Sequence, residues 1–415
     1  FTSCHAGSET EGWKPPATTA AHFRDGPTRD HSKVPPMSTT QYWVPPGVID
    51  LGLGHPSLSL LPQPLLAQAA RHRFAQDDRD ALQYGPEQGG PGMRAALAAF
   101  LSAQYAAPAA APVQGDGLML TNGISQALDM ICTVFTRPGD VVIVEEPTYF
   151  LALRIFADHG LRVISAPMDN DGLIPEALAA LLVAHHPRLL YTIPTHQNPS
   201  GVTLSAQRRA QVLELCRAHD VLLVADEVYH LLTYTGSPPP PFALWADDPT
   251  VIALGSFSKI LAPGMRLGWL QAPPARLAAL AAWGVTASGG GMSPFTASVV
   301  QSLLELDLLG DHVAFLRRTY RARRDALVAA LHTHLGDRLR FAVPTGGYFI
   351  WATSRTPLDG ERLATAAAAA QVDFRAGPRF SSRGGLRDNL RLCFAYYAEA
   401  DLEEGVRRLA RALQS

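Results

Sequence analysis

From about residue 90 onward, short apolar runs alternate with longer stretches whose apolar positions recur at helical spacing. The runs fall at 118–120, 141–144, 189–193, 221–225 and 251–254, and a sixth, at 267–270, follows a Pro-Gly turn. Short unbroken runs of this kind suit strands covered on both faces. The stretches at 176–184 and 207–218 carry the helical period. Alternation of strand and helix predicts an α/β fold around a mostly parallel sheet.

Five of these runs end in polar residues. Thr121-Asn122-Gly123-Ile124-Ser125 follows the first, and Glu145-Glu146-Pro147-Thr148-Tyr149 follows the second. Then come Thr195-His196-Gln197-Asn198-Pro199, Asp226-Glu227-Val228-Tyr229 and Gly255-Ser256-Phe257-Ser258-Lys259. Open α/β sheets bind ligands beyond the carboxyl ends of their strands. One polar strand end is ordinary loop; five in succession predict a shared site on one rim.

Composition changes the picture at one of those ends. Of 35 lysines and arginines, only Lys14, Lys33 and Lys259 are lysine. A GC-rich coding bias produces the same scarcity, so the count alone decides nothing. Position does: Lys259 closes the fifth strand end. A guanidinium stays protonated, whereas a desolvated ε-amine can lose its proton and attack a carbonyl.

The other ends supply matching chemistry. The Gly123-Ile124-Ser125 turn can cradle a phosphate on backbone N–H groups, or be a plain helix cap. Arg266 offers a fixed positive charge to the same anion. Asp226, at an apolar strand end, needs a cationic partner such as a protonated pyridine nitrogen. Tyr229 and Asn198 can bond a phenolate oxygen, and Tyr149 can stack on a ring or simply pack. Together these groups describe a receptor for a phosphorylated pyridine aldehyde anchored on Lys259.

The text Tyr191-Thr192-Ile193-Pro194-Thr195-His196-Gln197-Asn198-Pro199-Ser200-Gly201, then Asp226-Glu227-Val228-Tyr229, is followed by Ser256-Phe257-Ser258-Lys259 and Pro263-Gly264-Met265-Arg266-Leu267-Gly268. Gly346-Gly347-Tyr348-Phe349-Ile350-Trp351 and Leu390-Arg391-Leu392-Cys393-Phe394 complete the set. In order and spacing it resembles the class I/II, fold-type I pyridoxal-phosphate-dependent aminotransferases. Within them it is most similar to the 2-aminoadipate/kynurenine aminotransferases and the catalytic domains of MocR-type regulators. The resemblance runs from about residue 48 to the end.

The resemblance implies a three-layer αβα large domain with a mostly parallel seven-stranded sheet, plus a smaller α+β domain. It places the cofactor-binding domain at 76–284 and the small domain at 37–75 and 285–415. Residues 1–36, rich in Pro, Ser and Thr with both charge signs, read as a tail or an appended segment. The implied reaction moves the amino group of an α-amino acid to a 2-oxo acid by a ping-pong aldimine/ketimine mechanism. Lys259 would carry pyridoxal 5'-phosphate and shuttle a proton, and Asp226 would hold the pyridinium. Tyr229 and Asn198 would bond the phenolate oxygen while Tyr149 stacks. Gly123, Ile124 and Ser125, with Ser256, Ser258 and Arg266, would hold the phosphate. Arg391, with Asn198 and Gly54, would bind the substrate. Tyr84 would reach the phosphate from the partner subunit, which makes the enzyme a homodimer.

Other outcomes remain on the same scaffold: β-lyase, decarboxylase or amine oxidation, and, more distantly, a ligand-sensing regulator domain. Side-chain preference is expected to depend on residues 51–61. Arg375 reads as a solvated loop arginine rather than a clamp for a distal carboxylate, and His196 as a support for Asn198. Net charge is −2 with no basic stripe, which argues against nucleic acid as partner. No apolar run is long enough to span a bilayer. Four scattered cysteines without a CxxC argue against a disulfide framework or a metal site and suit the cytoplasm.

Overall fold

The computed structural model describes residues 44–76, 79–105 and 112–414. The expected tail at 1–36, with Lys14, Lys33 and Cys4, lies outside the described residues. Strand β1 is Ile49–Asp50, and the large sheet is built from β2 (Leu118–Thr121), β3 (Val141–Glu146), β4 (Arg162–Asp169), β5 (Gly172–Leu173), β6 (Leu189–Thr192), β7 (Leu222–Asp226), β8 (Val251–Ser256) and β9 (Gly268–Gln271). Its order is β2-β9-β8-β7-β6-β3-β4-β5. Neighbours from β8 through β4 run parallel. β9 runs antiparallel to both β8 and β2, which leaves β2 parallel to β8. The carboxyl ends of β2, β3, β6, β7 and β8 therefore share one rim. The sheet has the seven expected strands plus β5, a two-residue strand on the end of β4.

The apolar runs are unbroken because each strand is covered twice. Val142, Val144, Tyr191, Val224, Ile252 and Leu254 face one core. Ile143, Leu190, Leu223, Ala225 and Val251 face the other. Successive side chains of a strand point to opposite faces, so a helix layer on each side requires an apolar residue at every position. Each valine, leucine or isoleucine among them contributes about 1.5–3 kcal/mol on burial. Strand β4, absent from the apolar runs, is half exposed and carries Pro167. Such a pattern belongs near a sheet edge, where a missing N–H is tolerated.

A second sheet, of order β10-β11-β14-β13, contains β10 (Leu339–Phe341), β11 (Phe349–Ser354), β13 (Arg375–Ala376) and β14 (Asn389–Cys393), all antiparallel. Strand β12 (Val372–Asp373) pairs with β1 and so ties residues 49–50 to the far end of the chain. Among the described residues no helix is long and apolar enough to cross a membrane.

Candidate active site

One end of the site is an anion cradle. Gly123, at φ +84°, is the N-cap of the helix Ile124–Phe135, and no side chain makes a capping hydrogen bond there. The free N–H groups of a first helical turn attract anions. Arg266 stands over the turn, its Nη2 donating to the Asn122 carbonyl at 3.0 Å. A Cβ on Gly123 would lie 3.0 Å from that nitrogen, and one on Gly268 would lie 2.9 Å from the Gly123 Cα. The two glycines therefore let the arginine and the turn approach each other. Ser256 Oγ donates to Ser258 Oγ at 2.9 Å beside them.

The middle of the site holds two buried ionisable groups. Asp226 accepts from Tyr191 OH at 2.8 Å and from the Val228 N–H at 3.3 Å. Burial pushes its carboxyl up to about 6, against the pull of those two bonds and of the Lys259 charge. Burial brings the Lys259 amine down to about 8. About a tenth of such amines are neutral at pH 7, against fewer than about one in a thousand at the ordinary value. Lys259 Nζ donates to the Gly54 carbonyl at 2.8 Å and lies 5.6 Å from the Tyr348 ring centre. Tyr348 OH in turn donates to the Lys259 carbonyl at 3.0 Å. The Tyr229 ring packs 5.4 Å from that of Tyr348 and 5.9 Å from that of Phe349. Tyr149 is pushed up to about 12 by burial and feels the charges of Asp226, Arg391 and Arg266.

Arg391 closes the other end. Its Nη1 donates to Asn198 Oδ1 at 2.9 Å and its Nη2 to the Gly52 carbonyl at 2.7 Å. Its Nε is buried without a partner. The guanidinium lies 4.1 Å from the Phe349 ring centre and 4.9 Å from that of Phe380. Burial lowers it to about 10. A buried cation with no carboxylate and an orphaned donor is built to receive an anion from outside.

The sequence profile described as aminotransferase class I and II matches residues 46–409. The chain belongs to that family. It is 33% identical to aromatic-amino-acid aminotransferase 1 of Thermococcus litoralis, over 88% of either chain. It is 32% identical to the 2-aminoadipate transaminase of Thermus thermophilus, over 89% of this chain and 91% of that one. Its fold superposes with TM-score 0.81 on Pyrococcus horikoshii kynurenine aminotransferase, solved in complex with PMP, at 31% identity over 88% of this chain and 91% of the other. The protein is a pyridoxal-phosphate-dependent transaminase. The uncapped helix, the glycine-lined cradle and the partly neutral lysine all fit that cofactor.

Most of the sequence-predicted residues of this aminotransferase come together. Lys259, Asp226, Tyr229, Tyr149, Asn198, Gly54 and Arg391 form the linked cluster just described. Gly123, Ile124, Ser125, Ser256, Ser258 and Arg266 form the cradle. Tyr84 stands apart, 86% exposed. It lines a cleft of about 590 Å³ with Asn122, Thr286 and Gly289. The His196 ring bonds Thr233 at 2.8 Å and Thr203 at 3.2 Å. Burial drops its ring to about 3.

Arg375 requires a correction. It is not solvated: Nη2 meets Asp50 at 3.0 Å and Nη1 meets Asp373 at 2.9 Å. Pairing of β1 with β12 delivers both carboxylates. Sequence reasoning also passes over Tyr191, Tyr348 and His55. His55 follows Gly54 and is lowered to about 4 by burial and by the charges of Lys259, Arg391 and Arg375. A signal for Tyr191 does exist in the alternation along β6, which sets it on the same face as Asp226.

Proposed function

We propose that this transaminase takes α-amino acids with aromatic or large apolar side chains as donors, and works as a homodimer. The observation that carries the donor class is the contrast at the small sheet. Arg391 is offered to a carboxylate over two phenylalanine rings, while Arg375, across from it, is already paired with two aspartates. A distal carboxylate on the donor would find that second arginine spent. The resemblance to an aromatic-amino-acid aminotransferase supports the same choice.

When bound, pyridoxal phosphate supplies an aldehyde for the donor amine and a ring that takes up the electron pair released at Cα. The chain's residues do the rest. The cradle of Gly123, Ile124, Ser125, Ser256, Ser258 and Arg266 holds the phosphate. Asp226 holds the ring nitrogen, Tyr229 and Asn198 bond the phenolate oxygen, and Tyr149 covers a ring face. Arg391 clamps the α-carboxylate through its fork, with Gly54 against the substrate. Lys259 Nζ, kept partly neutral, would take the proton from the donor Cα and deliver it to the cofactor carbon that began as the aldehyde, leaving the amino group on the cofactor. We place the cofactor domain at 76–284 and the small domain at 37–75 and 285–415. Exposed Tyr84 and Leu82 line one cleft and offer apolar surface that suits a second copy of the chain. Tyr84 of the partner subunit would then complete the phosphate site. Cys132, Cys216 and Cys393 are buried and unpaired, which suits the cytoplasm.

The test is a donor panel read by bleaching of the cofactor absorbance and its return on adding a 2-oxo acid. Phenylalanine or tyrosine should exceed 2-aminoadipate by about tenfold or more in kcat/KM, the discrimination expected from an unpaired buried charge. A preference for 2-aminoadipate removes the donor class. Bleaching by no donor removes the roles assigned to Lys259 and Arg391.

A further inference from the structure

We propose that Tyr191 is a positioning residue for the cofactor, whose buried phenol fixes the orientation and charge of Asp226. The inference rests on the reading that Asp226 holds the ring nitrogen.

Strand β6 lies between β7 and β3, with Tyr191 beside Val224 and Thr192 beside Ala225. Asp226 is two residues past Val224, so it shares the face of Tyr191. The next residue, Thr192, points to the opposite face and donates to Glu145. Consecutive residues of one strand thus serve two buried carboxylates. The Tyr191 side chain is fully buried. Its ring packs edge-on against Phe156, centres 5.6 Å apart, so the phenol has a fixed direction. It reaches Asp226 Oδ2 at 2.8 Å, leaving Oδ1 to the Val228 N–H.

The phenol can act there only as a donor. Burial and the neighbouring carboxylate hold Tyr191 well above the usual phenol range. Among the groups that face Asp226, Lys259 favours the carboxylate. Glu145 and Glu227 oppose it. Tyr149 and Tyr229 stay neutral through burial. Tyr191 is the side chain that bonds the carboxylate directly, and its bond lowers a carboxyl that burial has raised. Removing it raises that carboxyl further, toward protonation near neutrality. A protonated carboxyl cannot hold a ring cation.

Tyr191→Phe keeps the ring and its packing and removes only the hydroxyl. Pyridoxal phosphate is titrated into the apo-protein and followed by absorbance. From about pH 6 to pH 7 the variant should bind on the order of tenfold more weakly, the scale of a hydrogen bond to a charged group. The gap should close toward about pH 8.5, where Asp226 is ionised with or without the phenol. Equal affinity at every pH overturns the proposal, and so does a deficit that is the same at every pH, which would mark a packing role. Asp226→Asn separates the two levels. If that variant binds as tightly as the parent, the reading of Asp226 falls and this inference with it. If it is impaired while Tyr191→Phe is not, this inference alone falls.

Discussion

Arg375 on β13 and Arg391 on β14 are register partners across two antiparallel strands, and their surroundings differ in kind. On the β13 side, Asp50 and Asp373 close around the guanidinium. On the β14 side, the partners are an amide oxygen, a backbone carbonyl and two aromatic rings, all without formal charge. Both arginines are mostly buried, and both carry one charge. What separates a structural arginine from a binding one here is whether the protein has already supplied the anion.

The largest effect bears on whether there is a reaction centre for Arg391 to serve. Lys259→Ala should lower turnover by at least about a thousandfold, since no other side chain among the described residues offers a neutral amine. Borohydride should then fix no cofactor to the described chain. Retained turnover would dissolve the comparison. Next comes Arg391→Gln, which should raise KM for the amino donor about a hundredfold, the scale of losing a buried charge-assisted fork. A change below about threefold would mean that the unpaired guanidinium is not the clamp. The smallest kinetic effect is expected of Arg375→Gln, with KM within about threefold of the parent and stability to urea lower by about 2 kcal/mol, because two carboxylates lose their partner. A large KM effect with unchanged stability would make the two arginines equivalent.

Much of the site is legible in the amino-acid sequence. Lys259, Asp226 and the Gly123 turn sit at the ends of apolar runs, and that position follows from local sequence alone. Arg391 is visible through its motif text. Arg375 is not, because its partner Asp50 lies 325 residues away and arrives only through the β1–β12 pairing. Asp373 is local to it, but nothing in 372–380 announces the second carboxylate. Tyr191 is a different case. The same text that carries the family resemblance contains it, yet its role depends on which neighbouring strand its face meets. Strand β4 is hidden for a third reason: a half-exposed strand near an edge has no apolar run to show.

The pairing that delivers Asp50 has a consequence for the order in which the molecule can be made. Gly52, whose carbonyl holds Arg391, leaves the ribosome 339 residues ahead of it. Leu51 likewise waits for the Cys393 N–H, which it meets at 2.6 Å. The parallel strands of the large sheet are complete by residue 256 and can pair while synthesis continues. Three residues later the nascent chain also carries Lys259 at an open rim, still without the arginine that would seat a donor. The last strand to emerge converts that rim into a site, so competence for the reaction is among the final things the growing polypeptide acquires.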